Sequence, residues 1–568
     1  MDNRELLRRY FGHSAFRPGQ EEVIEALISG RDVCGVMPTG AGKSICYQIP
    51  ALQMPGITVV VSPLISLMKD QVEALNQCGV PAAFLNSSMS GAAFQETLRD
   101  ARYGAYKLLY VAPERLLTDS FLAFSAAMPV SMVAVDEAHC VSQWGQDFRP
   151  SYLKIVEYIG RLPSRPVVAA FTATATKAVR EDVVKILGLR DPLLKVTGFD
   201  RENLRFETKS VRSRDKYAAC LAFLRRHPDE SGIIYSTSRK MTDEVAARLM
   251  DDGFSVTRYH AGLSDEERRC NQEDFINDRR PIVVATNAFG MGIDKSNVRF
   301  VLHYNMPRDL ESYYQEAGRA GRDGEPAVCM LLYCPGDVST CKWLIENSGE
   351  NAELDDDTRD RLRQRDLARL ARMKDYATTS GCLRSYILRY FGDDAPDSCG
   401  NCSNCLSDFV IEDATVDAQK ILSCVYRLRQ RKQTAGIPLT TSILHGSRSA
   451  RITEGHYDTL STYGIMRDVP REKIRRVIEE LIRRGALEQT QGSYPVLQLN
   501  SASMDILMGR KKFSVKAPAP PKKAGVRPIT TVLLQKPSTE QDAMFRQLKL
   551  LRALIARKEK LAPYMIFS

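Results

Sequence analysis

Long apolar runs are missing from this sequence of 568 residues. A helix that crosses a bilayer needs roughly 20 consecutive apolar residues, and no run approaches that length. The first residues, MDNRELLRRYFG, are charged and contain neither the apolar core of a secretory signal nor a lipidation motif. We therefore expect a soluble, cytoplasmic protein without a membrane partner.

A disulfide framework is not indicated either. The 14 cysteines are scattered along a long chain, except for a dense group near Cys402. Disulfide-rich proteins are usually short, secreted chains, so we expect reduced cysteines and a metal site where they cluster.

Charge of one sign is not dominant in this sequence. The net charge of +10 comes from both signs mixed along the chain, which is a mild indication of a polyanionic partner.

Two stretches have the pattern of buried parallel strands that end in polar or glycine-containing loops. The first runs from Asp32 to about Thr197 and contains DVCGVM, GITVVVS, KLLYVAP, SMVAVDEAH and PVVAAFTATA. The second follows a charged connector at 201–216 and contains SGIIYSTS, FSVTRYHAG, PIVVATN, VRFVLHY and AVCMLLY. The fold class predicted from these segments is α/β, with two successive parallel-sheet lobes.

The strand pattern stops after Tyr333. A charged segment with helical spacing leads to the cysteine group, and residues 415–500 predict three helices and a hairpin. A Lys/Pro-rich segment, VKAPAPPKKAGVRP, is typical of an extended linker. We therefore expect two lobes at 1–205 and 206–345, a helical zinc-binding module at 346–408, a winged-helix domain at 409–513, a linker at 514–539 and a truncated further domain at 540–568.

The segment MPTGAGKS at 37–44 lies between a predicted strand and a predicted helix, which is the context of a phosphate-binding loop. Lys43 would reach the β and γ phosphates of ATP, and the Ser44 hydroxyl would hold Mg²⁺. Met37 stands where the usual pattern has its first glycine, and a glycine-rich turn without nucleotide is the alternative. The predicted ATP-binding residues of this loop are Thr39, Gly40, Ala41, Gly42, Lys43 and Ser44.

Two adjacent carboxylates end the strand in VAVDEAHC. Asp136 would hold Mg²⁺ and Glu137 would polarise the attacking water, the two roles that hydrolysis requires. Acidic residues at a strand end are also common as solvated caps, but the phosphate-binding loop upstream favours the catalytic interpretation.

The segment ESYYQEAGRAGRDG at 311–324 places Gln315, Arg319 and Arg322 at roughly helical spacing in the second lobe. Guanidinium groups from a separate lobe can close on the γ-phosphate as its charge spreads in the transition state. The alternative is a solvated helix face.

The four clustered cysteines, Cys382, Cys399, Cys402 and Cys405, have the spacing C-x16-C-x2-C-x2-C. Four thiolates at this spacing favour a tetrahedral Zn²⁺ site whose role is folding. An iron–sulfur cluster is the chemical alternative.

The segment REKIRRVIEELIRRG places Arg471, Lys473 and Arg475 near the start of a helix with an apolar inner face. Such a helix can contact duplex phosphates, with the hairpin around 491–494 as a wing. The alternative is a charged surface helix.

These motifs, in their order and spacing, resemble the RecQ family of superfamily-two DNA helicases over almost the whole chain. FGHSAFRPGQ at 11–20 resembles the family's adenine-reading segment, which implies base contacts from His13, Arg17 and Gln20. DEAHCVSQWGQDFRPSY at 136–152 resembles its DEAH box and aromatic-rich loop. Trp144 and Phe148 would stack on bases and Arg149 would meet phosphate, although the two aromatics could also be core residues. His139 would be a relay between the nucleotide and this loop.

The resemblance implies two RecA-like lobes followed by the zinc and winged-helix modules. It implies an ATP-dependent 3′ to 5′ DNA helicase of repair, recombination, replication and the SOS response that uses ATP, Mg²⁺ and Zn²⁺. The expected partners are single-stranded and duplex DNA, with single-strand-binding protein as a candidate, and the expected form is a nucleoid-associated monomer. The terminal residues resemble the beginning of the family's HRDC domain.

Two other functions remain as alternatives. The first is an RNA helicase of DEAD or DEAH type, against which the aromatic-rich loop and the zinc and winged-helix pair argue. The second is a transcription regulator with a vestigial ATPase. That function requires a broken site, whereas Lys43, Asp136, Glu137 and Arg322 are all present.

Overall fold

A computed structural model of the chain describes residues 2–38, 40–143, 145, 148–289, 295–347, 356–407, 409–490 and 495–518, with isolated positions between 544 and 566. The chain forms two compact units, Met1–Leu406 with Leu534–Ser568, and Ser407–Leu533. Among the residues described, no helix is long and apolar enough to cross a membrane.

The first lobe of the larger unit is a parallel sheet with covering helices. Its strands are β1 (Val33–Val36), β2 (Ile57–Val61), β3 (Ala82–Leu85), β4 (Leu108–Val111), β5 (Val130–Val135), β6 (Val167–Thr172) and β7 (Leu193–Val196). Its helices are α1 (Asn3–Phe11), α2 (Gln20–Ile28), α3 (Ile45–Gln53), α4 (Ile65–Gln77), α5 (Gly91–Arg102), α6 (Asp119–Ala127), α7 (Lys154–Arg161) and α8 (Lys177–Ile186).

The seven strands follow the order β3-β4-β2-β5-β6-β1-β7, and every neighbouring pair is parallel. Val59 and Val61 of β2 pack into one apolar cluster, whereas Val60 between them packs into another. Both faces of the central strands are therefore covered, which explains why these strands are continuous apolar runs in the sequence.

The second lobe repeats this architecture. Its strands are β8 (Leu204–Ser210), β9 (Gly232–Tyr235), β10 (Val256–Tyr259), β11 (Ile282–Ala285), β12 (Phe300–His303) and β13 (Ala327–Tyr333). Its helices are α9 (Lys216–Leu224), α10 (Arg239–Asp251), α11 (Asp265–Ile276), α12 (Leu310–Ala317) and α13 (Pro335–Glu346). The parallel sheet has the order β10-β11-β9-β12-β13-β8. The predicted pair of parallel-sheet lobes is confirmed, although the stretch predicted as a connector contains β8.

A helical module follows the second lobe, with α14 (Asp356–Thr378), α15 (Leu383–Phe391) and α16 (Ser403–Leu406). It packs on the segment that joins the two lobes. The ring of Phe391 stacks on that of Phe199 with centroids 4.4 Å apart, and the Phe199 N–H donates to the Asp393 carboxylate at 2.8 Å. The helical module therefore packs directly against the segment that joins the two lobes.

The smaller unit contains β14 (Phe409–Asp413), α17 (Thr415–Gln430), α18 (Ile437–His445), α19 (Ala450–Glu454), α20 (Arg471–Arg483), β15 (Glu488–Gln489), β16 (Leu497–Gln498), α21 (Ser501–Leu507) and β17 (Ser514–Pro518). Ile474, Val477, Ile478 and Leu481 of α20 are buried in its core, as their helical spacing predicts. The predicted wing tip at 491–494 lies outside the described residues. The predicted linker begins with a strand, because β17 pairs with β14 in antiparallel register.

Candidate functional site

Three loops leave neighbouring strands at the same edge of the first sheet. β5, β6 and β1 lie side by side, and the phosphate-binding loop, the FTATAT segment and the Asp136–Glu137 pair lie at their carboxyl ends. The Met37 N–H donates to the Thr172 carbonyl at 3.0 Å, which joins two of these loops. Ligand sites of open α/β sheets form at this edge, so the strand order brings the separate motifs into one site.

The phosphate-binding loop is held by the first residue of α2 and by the segment that precedes this helix. The Gln20 amide donates to the carbonyls of Ala41 and Gly42, both at 3.0 Å, and Arg17 donates to the Gly40 carbonyl. Gly40 and Gly42 have φ of +86° and +77°, which favour glycine. The loop enters α3 at Ser44, so the positive end of that helix faces the site. Thr39 lies outside the described residues, and His13 is exposed after α1.

The two carboxylates are adjacent and partly buried. Burial raises the pKa of Asp136 to about 6, Glu137 acts in the same direction, and Lys43 opposes both. The Asp136 backbone carbonyl accepts from the Tyr152 hydroxyl at 3.0 Å, and Glu137 adopts a left-handed conformation with φ of +47°. A divalent cation would relieve the repulsion between such carboxylates, so the site fits Mg²⁺.

His139 connects the carboxylate pair to the FTATAT segment. It is 3% exposed, and its Nδ1 lies 2.8 Å from the Thr172 hydroxyl and 3.4 Å from Glu137 Oε2. The Thr172 hydroxyl also accepts from the Thr174 N–H at 3.2 Å. This arrangement is compatible with the predicted relay and leaves the His139 side chain almost fully buried.

The two lobes enclose a cleft of about 400 Å³. Glu137, His139 and Arg149 line it from the first lobe, and Gln315 and Arg319 line it from the second. The structure therefore brings these predicted residues together across the lobes.

Arg322 approaches the phosphate-binding loop directly. A Cβ atom built on Gly40 would lie 3.3 Å from Arg322 Cγ. Arg322 therefore lies beside the phosphate-binding loop, at the interface between the two lobes.

The sequence gives no signal for Arg201, which the structure places between the phosphate-binding loop and the arginine segment. Its guanidinium donates to the carbonyls of Gly321 at 2.8 Å and Ala320 at 3.1 Å, and a Cβ on Gly40 would lie 3.7 Å from it. Burial lowers the pKa of Arg201, and Arg322 and Arg17 add to the decrease. A site with this concentration of guanidinium groups fits a polyphosphate.

The aromatic-rich loop is partly described. Trp144 lies outside the described residues, and Phe148 is half-buried. Arg149 is also half-buried, and it donates to the Pro63 carbonyl at 3.1 Å.

The four cysteines converge, with every Sγ within 4.8 Å of the others. Backbone N–H groups point at three of these sulfurs: Leu383 to Cys402 at 3.4 Å, Ser385 to Cys382 at 3.5 Å and Asn401 to Cys399 at 3.4 Å. Such donors stabilise thiolates, so the cluster fits a tetrahedral Zn²⁺ site of four sulfurs.

We expect metal analysis of the purified protein to find one zinc ion per chain. Cys402→Ser should strongly reduce soluble yield, because Cys402 is buried and structural zinc sites contribute folding free energy directly. Cys78→Ser, at an exposed cysteine, is the matched control and should express like the wild type. Iron in place of zinc, or a well-folded protein without metal, would contradict the assignment.

The predicted duplex contacts on α20 differ in their surroundings. Arg471 bonds to the Ser447 hydroxyl, and exposed Arg475 pairs with Glu479 at 2.8 Å. The ammonium of Lys473 lies 2.5 Å from Glu412 and 3.1 Å from Asp417, and this pair of carboxylates raises the pKa of Lys473, with the hydrogen bond to Glu412 as the main cause. Lys473 is therefore ion-paired within its own unit, and its predicted duplex contact stays a prediction.

Four family models match successive parts of the chain. They are the DEAD/DEAH box helicase at 17–182, the helicase conserved C-terminal domain at 215–324, the RecQ zinc-binding domain at 335–406 and the RQC domain at 408–524. A solved structure, DEAD-box helicase Mss116 bound to ssRNA and UDP-BeF, has a TM-score of 0.50 at 17% identity and covers 66% of this chain and 87% of its own. That likeness concerns the fold alone.

Full-length relatives are similar over nearly the whole chain. The ATP-dependent DNA helicase RecQ of Bacillus subtilis is 42% identical over 99% of this chain and 91% of its own length. The protein of the same name from Pasteurella multocida is 39% identical over 99% and 87%. The resemblance noted in the motifs is thereby confirmed, and the chain belongs to the RecQ family of ATP-dependent DNA helicases.

Proposed function

We propose that this ATP-dependent DNA helicase moves 3′ to 5′ along one strand and separates duplexes during DNA repair, recombination and replication. The observation that supports it best is the cleft in which Glu137 of the first lobe faces Gln315 and Arg319 of the second. Such an arrangement makes ATP hydrolysis depend on closure of the lobes, as a motor requires.

We assign the ATP site as follows. Gln20, Arg17 and His13 contact the adenine, while the phosphate-binding loop and Lys43 hold the phosphates. Ser44 and Asp136 would hold Mg²⁺, which supplies charge neutralisation at the β and γ phosphates. Glu137 orients the attacking water and accepts its proton, and Gln315, Arg319 and Arg322 stabilise the charge that develops across the cleft.

We assign the DNA contacts in two groups. Trp144 and Phe148 stack on bases of the single strand and Arg149 binds its phosphates, close to the carboxylate pair in sequence. Arg471 and Arg475 bind duplex phosphates. Lys473 is assigned to the same duplex contact, for which it exchanges its ion pairs with Glu412 and Asp417.

The test is strand displacement on matched DNA and RNA duplexes with a 3′ or a 5′ single-stranded tail. We expect ATP-dependent unwinding of DNA with a 3′ tail and little activity on the other substrates. Equal unwinding from a 5′ tail would refute the polarity, and preference for the RNA duplex would favour the RNA helicase alternative.

We also propose a monomer that is cytoplasmic, nucleoid-associated and bound by single-strand-binding protein. The support is chemical, because a DNA helicase exposes single strands and a single-strand-binding protein covers such strands. Sedimentation velocity at assay concentrations tests the first part, and binding of purified single-strand-binding protein tests the last.

Glu137→Gln should keep ATP affinity within about threefold of the wild type and lower kcat by about 10²-fold or more, because only the proton-accepting role is lost. Equilibrium binding of a fluorescent ATP analogue and steady-state hydrolysis measure the two effects. Exposed Glu73→Gln on α4 is the control. A collapse of nucleotide affinity in Glu137→Gln would contradict the role assigned to this residue.

A further inference from the structure

The long helix α14 touches the aromatic-rich loop of the first lobe through two arginines. The Gly145 carbonyl accepts from Arg369 at 2.9 Å and from Arg365 at 3.1 Å, and Arg365 also donates to the Gln143 carbonyl. Both arginine side chains are largely buried, so these charge-assisted bonds are sheltered from competing water. They restrain the backbone on either side of Trp144.

Gly145 in turn lies directly on the backbone of the DEAH segment. Its N–H donates to the Ser142 carbonyl at 2.9 Å, and a Cβ built on it would lie only 2.1 Å from the His139 carbonyl oxygen. A shift of the loop at Gly145 therefore displaces the backbone of His139, whose side chain lies between Glu137 and Thr172. Packed elements of this kind transmit small displacements, because a close-packed interior has little free volume to absorb them.

Arg369 also contacts the second lobe. Arg369 Nη2 lies 3.5 Å from Glu311 Oε1, which also accepts from the Tyr390 hydroxyl at 2.6 Å. Glu311 is 4% exposed and lies one helical turn before Gln315 on α12. Burial and neighbouring Asp309 raise the pKa of Glu311, and Arg369 opposes them. The buried carboxylate therefore depends on this arginine for charge compensation.

We propose that Arg369 and Glu311 are a positioning pair that links the aromatic-rich loop to the helix carrying Gln315. The inference rests on the proposed role of that loop in binding a single strand. One guanidinium bonds the loop backbone and pairs with α12, so a strand-induced movement at Gly145 changes the position of Glu311. The pair thereby adjusts Gln315 and Arg319 relative to Glu137 without touching ATP or DNA.

The test compares ATP hydrolysis with and without an oligothymidylate strand, using the full-length zinc-loaded protein. Arg369→Ala and Glu311→Gln should each lower the strand-stimulated kcat by about fivefold or more, the low end of typical coupling between sites. The strand-free kcat and the Kd for the strand should stay within about twofold of wild type. Arg359→Ala, an exposed arginine on the first turn of α14, is the matched control and should leave all three quantities unchanged.

The double variant Arg369→Ala/Glu311→Gln should resemble either single variant, because residues that act as one pair are not additive. Additive losses, or full stimulation in both single variants, would refute the pair. A fall of both the strand-stimulated and the strand-free kcat, together with a lower Tm, would show that the contacts only stabilise the fold. A raised strand-free kcat would show that the contacts hold back hydrolysis in the absence of a strand. Either result overturns the proposal. If the wild type itself shows no strand stimulation, the proposed function fails instead.

Discussion

Arg322→Ala is expected to lower kcat for ATP hydrolysis by about 10³-fold or more, the effect typical of removing an arginine that meets the transferred phosphoryl group. The side chain comes from the second lobe, yet a Cβ on Gly40 of the first lobe would lie 3.3 Å from its Cγ. Arg201 holds the backbone at Ala320 and Gly321 just before it. ATP affinity should change little, because this contact strengthens as charge develops.

Three measurements separate this role from a structural one: single-turnover hydrolysis, binding of a fluorescent ATP analogue and Tm. Arg225→Ala, at an exposed arginine of the same lobe, is the control. Arg322→Lys should recover little activity, since an ammonium cannot reproduce the planar fork of a guanidinium. Hydrolysis near the wild-type rate in Arg322→Ala would remove Arg322 from the catalytic set and leave the function to Arg319.

Lys43→Ala is expected to reduce both hydrolysis and unwinding by about 10²-fold or more while leaving DNA affinity nearly unchanged. The variant loses the cation proposed to contact the β and γ phosphates. It also loses the charge that opposes the raised pKa of Asp136, so the carboxylate that would hold Mg²⁺ becomes harder to ionise. The proposed DNA contacts are all on other segments and should be unaffected.

Hydrolysis, strand displacement and fluorescence anisotropy of a labelled strand measure these effects on one preparation. Lys69→Ala, at an exposed lysine of α4, is the matched control in the same lobe. If Lys43→Ala retained more than about a tenth of wild-type hydrolysis, the assignment of the phosphate-binding loop would be wrong.

Within the two lobes, and apart from the edge strand β10, the strands that the sequence pattern predicts have both faces or most of their length buried. β2, β5 and β6 are continuous apolar runs in the middle of their sheet. The pattern misses β3, β7 and β8, of which β3 and β7 are the edges of the first sheet and β8 is an edge of the second. An edge strand is partly exposed, as Leu194 of β7 is at 60%, so its residues need not be apolar and no continuous run marks it.

The residues of the site also fall into those that the sequence pattern predicts and those that it misses. The phosphate-binding loop, the carboxylate pair and the four cysteines are recognisable because each chemistry needs several particular residues within a short segment, and that requirement is written in the sequence. Arg201, Glu311 and Arg369 belong to no such segment. Their partners lie far away along the chain, and only the packing of the lobes and α14 brings Gly321, Gly145 and these side chains into contact. Sequence alone therefore determined the two lobes and the short motifs that carry their chemistry. The tertiary structure decided which charged side chains connect the lobes. The reason is that a single arginine has the same local sequence pattern whether its side chain is solvated or is buried against a backbone carbonyl.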